Sequence, residues 1–145
     1  MSALPIKRFS LVRPTLETPF HIDFDWWKQH DNNWRVYLHS CLCPAHQTAF
    51  TNLDAAYLID WVDENTAEVT SVDGLEHALM SHCSLEPEFL DMNIPLVDAV
   101  FRVLVAHKNN PMTPQQLQEL TGESADTILR TLAGPQVYKG IRPVH

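Results

Sequence analysis

Two thiols and two imidazoles lie within eight residues of this chain, in the sequence His-Ser-Cys-Leu-Cys-Pro-Ala-His at residues 39–46. The third cysteine, Cys83, follows far downstream in the sequence Ser-His-Cys-Ser. Thiolate and imidazole are the ligands that zinc prefers in four-coordinate structural sites. If the two segments meet in space, a bound metal ion closes the intervening chain into one loop. No other feature of the sequence constrains the fold so strongly.

The spacing predicts a tetrahedral set of three thiolates and one imidazole. The predicted metal ligands are Cys41, Cys43, His46 and Cys83, with His39 and His82 as alternatives to His46. Zinc fits this set better than an iron–sulfur cluster, and a closed set of four protein ligands indicates a structural rather than a catalytic role. The alternative is that the three cysteines are small buried hydrophobic residues and that the histidines lie near them by chance, since the chain has eight histidines.

Three cysteines are an odd count, which argues against a disulfide framework. The N-terminal 15 residues are basic and contain proline without a continuous apolar stretch, so they do not resemble a secretory signal. No run of 18 apolar residues occurs, and we therefore expect no membrane span. The sequence predicts a cytoplasmic protein, and its 45% hydrophobic and 19% charged residues are typical of a globular one.

The net charge of −8 is concentrated in the middle of the chain. Residues 21–94 carry thirteen carboxylates but only Lys28 and Arg35, whereas residues 95–145 have a net charge of +1. We therefore predict three regions: an N-terminal arm (1–20), an acidic Cys/His metal-binding subdomain (21–94) and a C-terminal domain (95–145). The short apolar and basic run at residues 6–12 would be an edge strand or part of the arm.

In the acidic region, the pattern predicts helices at residues 23–30 and 34–41, a hairpin of residues 57–62 and 67–72, and a helix that starts at Asp73. Asp23 and Asp73 precede apolar positions at helical spacing and are suitable N-caps. Six aromatic residues are dense between residues 20 and 37, and we expect them to form a core rather than a surface for stacking bases. Acidic residues among them cap helices more often than they build an acid–base site.

After Pro95 the apolar positions follow helical spacing without interruption. Thr113 and Gln116 form a capping box for a second short helix, a turn with Gly122 follows, and Ser124 caps a third helix. Residues 136–139 and 141 are expected to form a strand that returns through a glycine. The sequence thus predicts a mostly helical α+β fold.

Three helices with a short glycine-containing turn between the last two, followed by a strand, resemble a winged helix-turn-helix domain. The resemblance covers the last third of the chain and concerns architecture only. It implies a recognition helix at residues 124–133 and a wing at residues 137–143, and therefore DNA binding and transcription regulation. The residues placed to contact nucleic acid are Thr127, Arg130, Thr131, Lys139 and Arg142.

Three basic residues make a small footprint on DNA, which a homodimer would double. The first hypothesis is therefore a non-enzymatic, metal-stapled protein that binds duplex DNA or a component of the transcription apparatus. The second is an adaptor that meets a protein partner through its acidic half. A small zinc-dependent enzyme is the third, although no nucleophile elbow, phosphate loop or dinucleotide motif is present.

Overall fold

The computed structural model describes residues 13–50, 58–90 and 93–144. Helices predominate among them, and the predicted α+β fold is confirmed. In chain order the elements are β1 (Phe20–Ile22), α1 (Phe24–His30), α2 (Trp34–Cys41), α3 (Pro44–Ala49), β2 (Leu58–Val62), β3 (Val69–Asp73), α4 (Gly74–Ser81), the 3₁₀ turns Cys83–Leu85 and Pro87–Leu90, α5 (Leu96–Ala106), α6 (Pro114–Thr121), α7 (Ala125–Leu132) and β4 (Ile141–Pro143). No helix in these ranges is long and apolar enough to cross a lipid bilayer.

Most of these helices have a short polar residue as N-cap, at the positions that the sequence predicts. Asp23 accepts a hydrogen bond from the Trp26 amide, and Asp73 accepts from two amides in the first turn of α4. Thr113 and Gln116 form the complete capping box of α6, and Ser124 caps α7. Each cap satisfies amides that the helix itself leaves without an acceptor.

The two small antiparallel sheets connect different parts of the chain. In one, β1 pairs with β4, with Phe20 opposite Pro143 and Ile22 opposite Ile141, and Phe20 also bridges to Met112. The other is the predicted hairpin of β2 and β3, whose pairing runs from Leu58–Asp73 to Val62–Val69. The first sheet fixes the start of the described chain against its end.

The buried residues form one continuous hydrophobic core. It includes Trp27 and Leu38 from α1 and α2, Leu79 from α4, Phe101 from α5 and Ile141 from β4. The ring of Trp27 packs edge-on against Phe101, with centroids 5.5 Å apart. The hydrophobic core therefore continues across the domain boundary that the sequence predicts at residue 95.

The segment after α7 differs from the predicted strand and wing. Lys139 and Gly140 have φ angles of 52° and 72°, in the left-handed region that a β-strand cannot accommodate. Residues 136–139 accordingly form no strand, and β4 begins only at Ile141. Its partner is β1 rather than a second strand of a wing hairpin. The arm strand predicted at residues 6–12 lies outside the described residues, as does Tyr57.

Two ion pairs hold α4 against α1 and α2. Arg35 Nη2 lies 3.0 Å from Asp73 Oδ2, and Lys28 Nζ lies 2.7 Å from Glu76 Oε1. Both cations also lie over the ring of Trp34, Lys28 at 5.0 Å and Arg35 at 4.5 Å from its centroid. These contacts fix the first turn of α4, and thereby the direction in which its last turn carries the chain to His82 and Cys83.

Candidate metal centre

The start of α3 presents a thiol and an imidazole to the same point. Cys43 is the N-cap residue and Pro44 occupies the first helical position, which suits the ring of proline. His46 follows three positions after Cys43, the spacing at which N-cap and first-turn side chains meet. Cys43 makes no capping hydrogen bond with its side chain. Its Sγ lies 3.1 Å from His46 Nδ1 instead.

The end of α4 supplies a second pair of the same chemistry. His82 is the C-cap residue of α4, and Cys83 begins the following 3₁₀ turn. Cys83 Sγ lies 3.4 Å from Cys43 Sγ and 3.5 Å from His46 Nδ1, and His82 Nδ1 lies 3.7 Å from Cys43 Sγ. The four ligand atoms all lie within 4.8 Å of one another.

These separations match the edges of a tetrahedral zinc site. With Zn–S bonds of about 2.3 Å and Zn–N bonds of about 2.0–2.1 Å, adjacent ligand atoms are roughly 3.3–3.8 Å apart. The sulfur–sulfur separation and the three sulfur–nitrogen separations given above lie at or near this range. The group can therefore hold a metal ion with two thiolate and two imidazole ligands, and its geometry is compatible with zinc.

A disulfide between Cys43 and Cys83 explains less of this geometry. All three cysteines are free, and the two sulfur atoms lie well beyond the S–S bond length of about 2.05 Å. A disulfide also gives no reason for two imidazole nitrogens to point at the same sulfur atoms. Metal ligation accounts for all four side chains together.

The structure brings together three of the four predicted ligands, Cys43, His46 and Cys83, and replaces the fourth, Cys41, by His82. Cys41 is the last residue of α2 and is only 4% exposed, within the hydrophobic core. Leu42 then adopts an extended conformation, with ψ 155°. The chain direction changes between the two cysteines, so that Cys41 and Cys43 point to different places although one residue separates them.

The other alternative ligand, His39, is also outside the group. Its Nε2 donates a hydrogen bond to the carbonyl of Gln47 at 2.9 Å. Gln47 in turn donates from its side chain to the carbonyl of His39 at 3.3 Å. His39 therefore connects α2 to α3 and supports the position of His46 and Cys43 from behind.

The electrostatic surroundings of the four side chains suit a cation. Burial, followed by the neighbouring Cys43 thiol, raises the pKa of the Cys83 thiol to about 11. A bound cation removes this penalty, because metal ligation stabilises the thiolate directly. On the outer side, Glu86 Oε1 lies 4.0 Å from His82 Nε2. At this distance the carboxylate makes no hydrogen bond with the imidazole, but its negative charge favours a cation beside it.

The residues predicted to contact nucleic acid lie apart from this centre, and two of the three cations are engaged within the chain. Arg142 pairs with Asp23 at 3.0 Å, and Lys139 lies 4.4 Å from the ring centroid of Tyr37. Thr131 donates a hydrogen bond to the carbonyl of Thr127. Arg130 is exposed on α7 and donates only a long hydrogen bond, at 3.5 Å, to Thr127 Oγ1.

The aromatic and acidic residues between 20 and 37 have structural roles. Phe20 and Trp27 are fully buried, as expected of a core. Asp31 accepts a hydrogen bond from the indole of Trp27 at 3.0 Å, and His30 stacks on Trp26.

Comparisons with known proteins identify no relative, since no protein-family model, no curated protein and no solved structure matches the chain.

Proposed function

We propose that this chain is a non-enzymatic zinc-binding protein that acts by binding a macromolecular partner, and that its zinc ion has a structural role. The observation that carries the proposal is the convergence of Cys43, His46, His82 and Cys83, whose ligand atoms lie within 4.8 Å of one another although they come from two distant segments. Two thiolates and two imidazoles form a common structural zinc site.

Four protein ligands complete a tetrahedron and leave no coordination position for water or substrate. Catalytic zinc sites keep such a position open, usually by supplying only three protein ligands. The small-enzyme hypothesis therefore has the least support from the geometry. A closed centre instead fixes the ends of the segment between Cys43 and Cys83 to each other.

A bound zinc ion would stabilise helix α3. Helix α3 has six residues, and none of them is buried. So short a helix with no buried side chain is not stable by itself. Ligation of Cys43 and His46 to the end of α4 supplies the attachment that hydrophobic burial does not provide. Free thiolates require a reducing compartment, which supports a cytoplasmic location.

We propose that the partner is a protein. The acidic residues Asp60, Glu64 and Glu68 are exposed on or beside the β2–β3 hairpin, in the region that carries most of the negative charge. Such a surface attracts a basic partner and repels phosphate. The adaptor hypothesis is therefore favoured over direct binding of nucleic acid.

Duplex DNA is the second candidate partner, because two short helices, α6 and α7, are joined by a tight turn with a glycine, an arrangement that resembles a helix-turn-helix. Gly122 ends α6 in the left-handed conformation, and α7 starts at Ala125 after the Ser124 cap. Arg130 on α7 is available to contact phosphate, whereas Arg142 and Lys139 must first leave their intramolecular contacts. A homodimer would present two such helices.

Two measurements test these proposals. Elemental analysis of the purified chain should give one zinc ion per chain, and no metal would contradict the zinc proposal. Duplex binding should be absent or very weak at low salt. A measurable affinity that falls steeply with added salt would instead support DNA as the partner, because such a slope counts displaced phosphate counterions.

A further inference from the structure

A cleft of about 500 Å³ opens onto the candidate metal centre, and three of the four candidate ligands, Cys43, His82 and Cys83, line it. Its walls include Leu42 and Pro44 from the segment before and at the start of α3, Phe89 from the second 3₁₀ turn, and Arg102 from α5. This volume is typical of small-molecule sites, which combine apolar walls with a few polar groups.

Arg102 lies in the wall of this cleft and contacts Phe89. Its guanidinium lies 5.0 Å from the ring centroid of Phe89, and its Nη1 donates a hydrogen bond to the Phe89 carbonyl at 3.2 Å. Its Nε is buried and has no hydrogen-bond partner among the described residues. The ring and the carbonyl fix the orientation of the guanidinium, but they do not neutralise its charge.

The other two half-buried arginines of the described chain have carboxylate partners. Arg35 pairs with Asp73 and Arg142 pairs with Asp23, each at 3.0 Å. No carboxylate of the described residues lies within 4.0 Å of Arg102, although Glu86 and Glu88 also line the cleft. Arg102 therefore has no direct ion pair, and its guanidinium keeps a donor that an incoming carboxylate can engage.

The proposed zinc centre does not supply an ion-pair partner for Arg102 either. Zinc with two thiolates and two neutral imidazoles has no net charge, because two negative ligands balance the divalent cation. Arginine binds carboxylates well, since its planar fork matches their geometry. The apolar walls of Leu42, Pro44 and Phe89 in turn suit a hydrocarbon body attached to the carboxylate.

We propose that this cleft binds a small carboxylate with an apolar body, and that Arg102 holds the carboxylate. The inference goes beyond the structural zinc centre, because the ligand contacts the guanidinium rather than the metal. It needs only a folded chain. Metal content is measured separately on each sample. A failure of the carboxylate proposal can therefore be distinguished from a failure of the zinc proposal.

The test uses the purified 145-residue chain and three probes: benzoate, octanoate and 4-phenylbutyrate, each paired with its uncharged amide. Binding is followed by ¹H–¹⁵N NMR, including the Nε–Hε signal of Arg102. At least one carboxylate should bind saturably below about 10 mM, with the Arg102 signal shifted and the matching amide bound at least about tenfold more weakly. Equal affinities of acid and amide, or no saturable binding by any of the three acids, would overturn the proposal.

Substitution provides the second arm of the test. The R102Q variant should lose carboxylate affinity by about tenfold or more, whereas R13Q, which changes an exposed arginine outside the cleft, should bind as the unmodified chain does. If R102Q does not fold, the comparison of acid and amide on the unmodified chain decides alone. With cobalt(II) in place of zinc, the visible spectrum should not change when the carboxylate binds. A changed spectrum would place the carboxylate on the metal and contradict the assignment to Arg102.

Discussion

The sulfur atoms of Cys43 and Cys83 lie 3.4 Å apart, although 40 positions separate the two residues in the sequence. One belongs to the start of α3 and the other follows the end of α4. An imidazole lies next to each, and His46 Nδ1 lies 3.1 Å and 3.5 Å from the two sulfur atoms. So close an approach of four metal-ligating side chains from two segments is the basis of the zinc assignment.

Replacing Cys43 by serine removes one thiolate from the centre. We expect C43S to lose its zinc and to unfold with a free energy lower by at least about 3 kcal/mol, because metal binding contributes directly to folding. The measurement is urea unfolding together with metal content. C41A is the matched control, since Cys41 lies in the core and outside the ligand group. It should keep one zinc ion per chain, and a C43S protein that keeps its metal and its stability would refute the role of Cys43.

The choice between the two alternative histidines is tested by H82A and H39A. His82 Nδ1 lies 3.7 Å from Cys43 Sγ, whereas His39 Nε2 donates to a backbone carbonyl. H82A should weaken cobalt(II) binding by more than about 100-fold, which exceeds the usual effect of a second-shell change. H39A should weaken it by less. The intensity of the visible cobalt absorption reports the geometry, and the opposite order of effects would restore His39 to the ligand set.

Zinc affinity should depend on pH with a defined sign. Burial raises the pKa of the Cys83 thiol to about 11, so this thiol is protonated in the metal-free protein at neutral pH. Zinc must displace that proton, and the affinity should fall about tenfold per pH unit for each proton released as the pH is lowered. Calorimetry in buffers of different ionisation enthalpy measures the protons released. A release of none at pH 7 would show that the thiols are not the ligands.

The same raised pKa affects the metal-free fold in the alkaline range. A thiol ordinarily titrates near pH 8.5, and the folded-state pKa of Cys83 lies above that value. Its protonated form therefore stabilises the metal-free fold below about pH 8.5, and this contribution is lost as the pH rises through about 11. Thermal melting of the chelator-treated protein between these values should show the decline.

Gly140 should be irreplaceable at the contact between β4 and α1. A Cβ atom added there would lie 2.7 Å from Cβ of Trp27, and the residue has a φ of 72°. G140A should therefore lower the free energy of unfolding by about 2–3 kcal/mol. Gly122 is the matched control, with a φ of 81° but no atom within 4 Å of an added Cβ. G122A should cost about 1 kcal/mol, and equal losses in the two variants would argue against the close packing on Trp27.

Local signals in the sequence predicted many of the elements. The capping residues Asp23, Thr113 and Ser124 mark helix starts that the structure confirms, and the uninterrupted apolar spacing after Pro95 marks α5. These features depend on interactions between residues a few positions apart. They can be inferred from spacing alone.

Pairings between distant residues could not be predicted in this way. Nothing in the short segment Phe20–Ile22 indicates that it pairs with Ile141–Pro143, because both strands have only three residues. The predicted ligand set included Cys41, which the structure leaves outside the group, for a related reason. The direction of a side chain at a helix end depends on the backbone of the next residue, here the extended Leu42, and spacing does not reveal it. The sequence indicates His82 only as an alternative to His46, whereas the structure places both imidazoles in the group.

X-ray absorption at the zinc edge of the purified protein tests the zinc centre most directly. A centre formed by Cys43, His46, His82 and Cys83 predicts two sulfur scatterers at about 2.3 Å and two nitrogen scatterers at about 2.0–2.1 Å. Three sulfur scatterers, a site with bound water, or a protein isolated without metal and with Cys43 and Cys83 joined in a disulfide would contradict it.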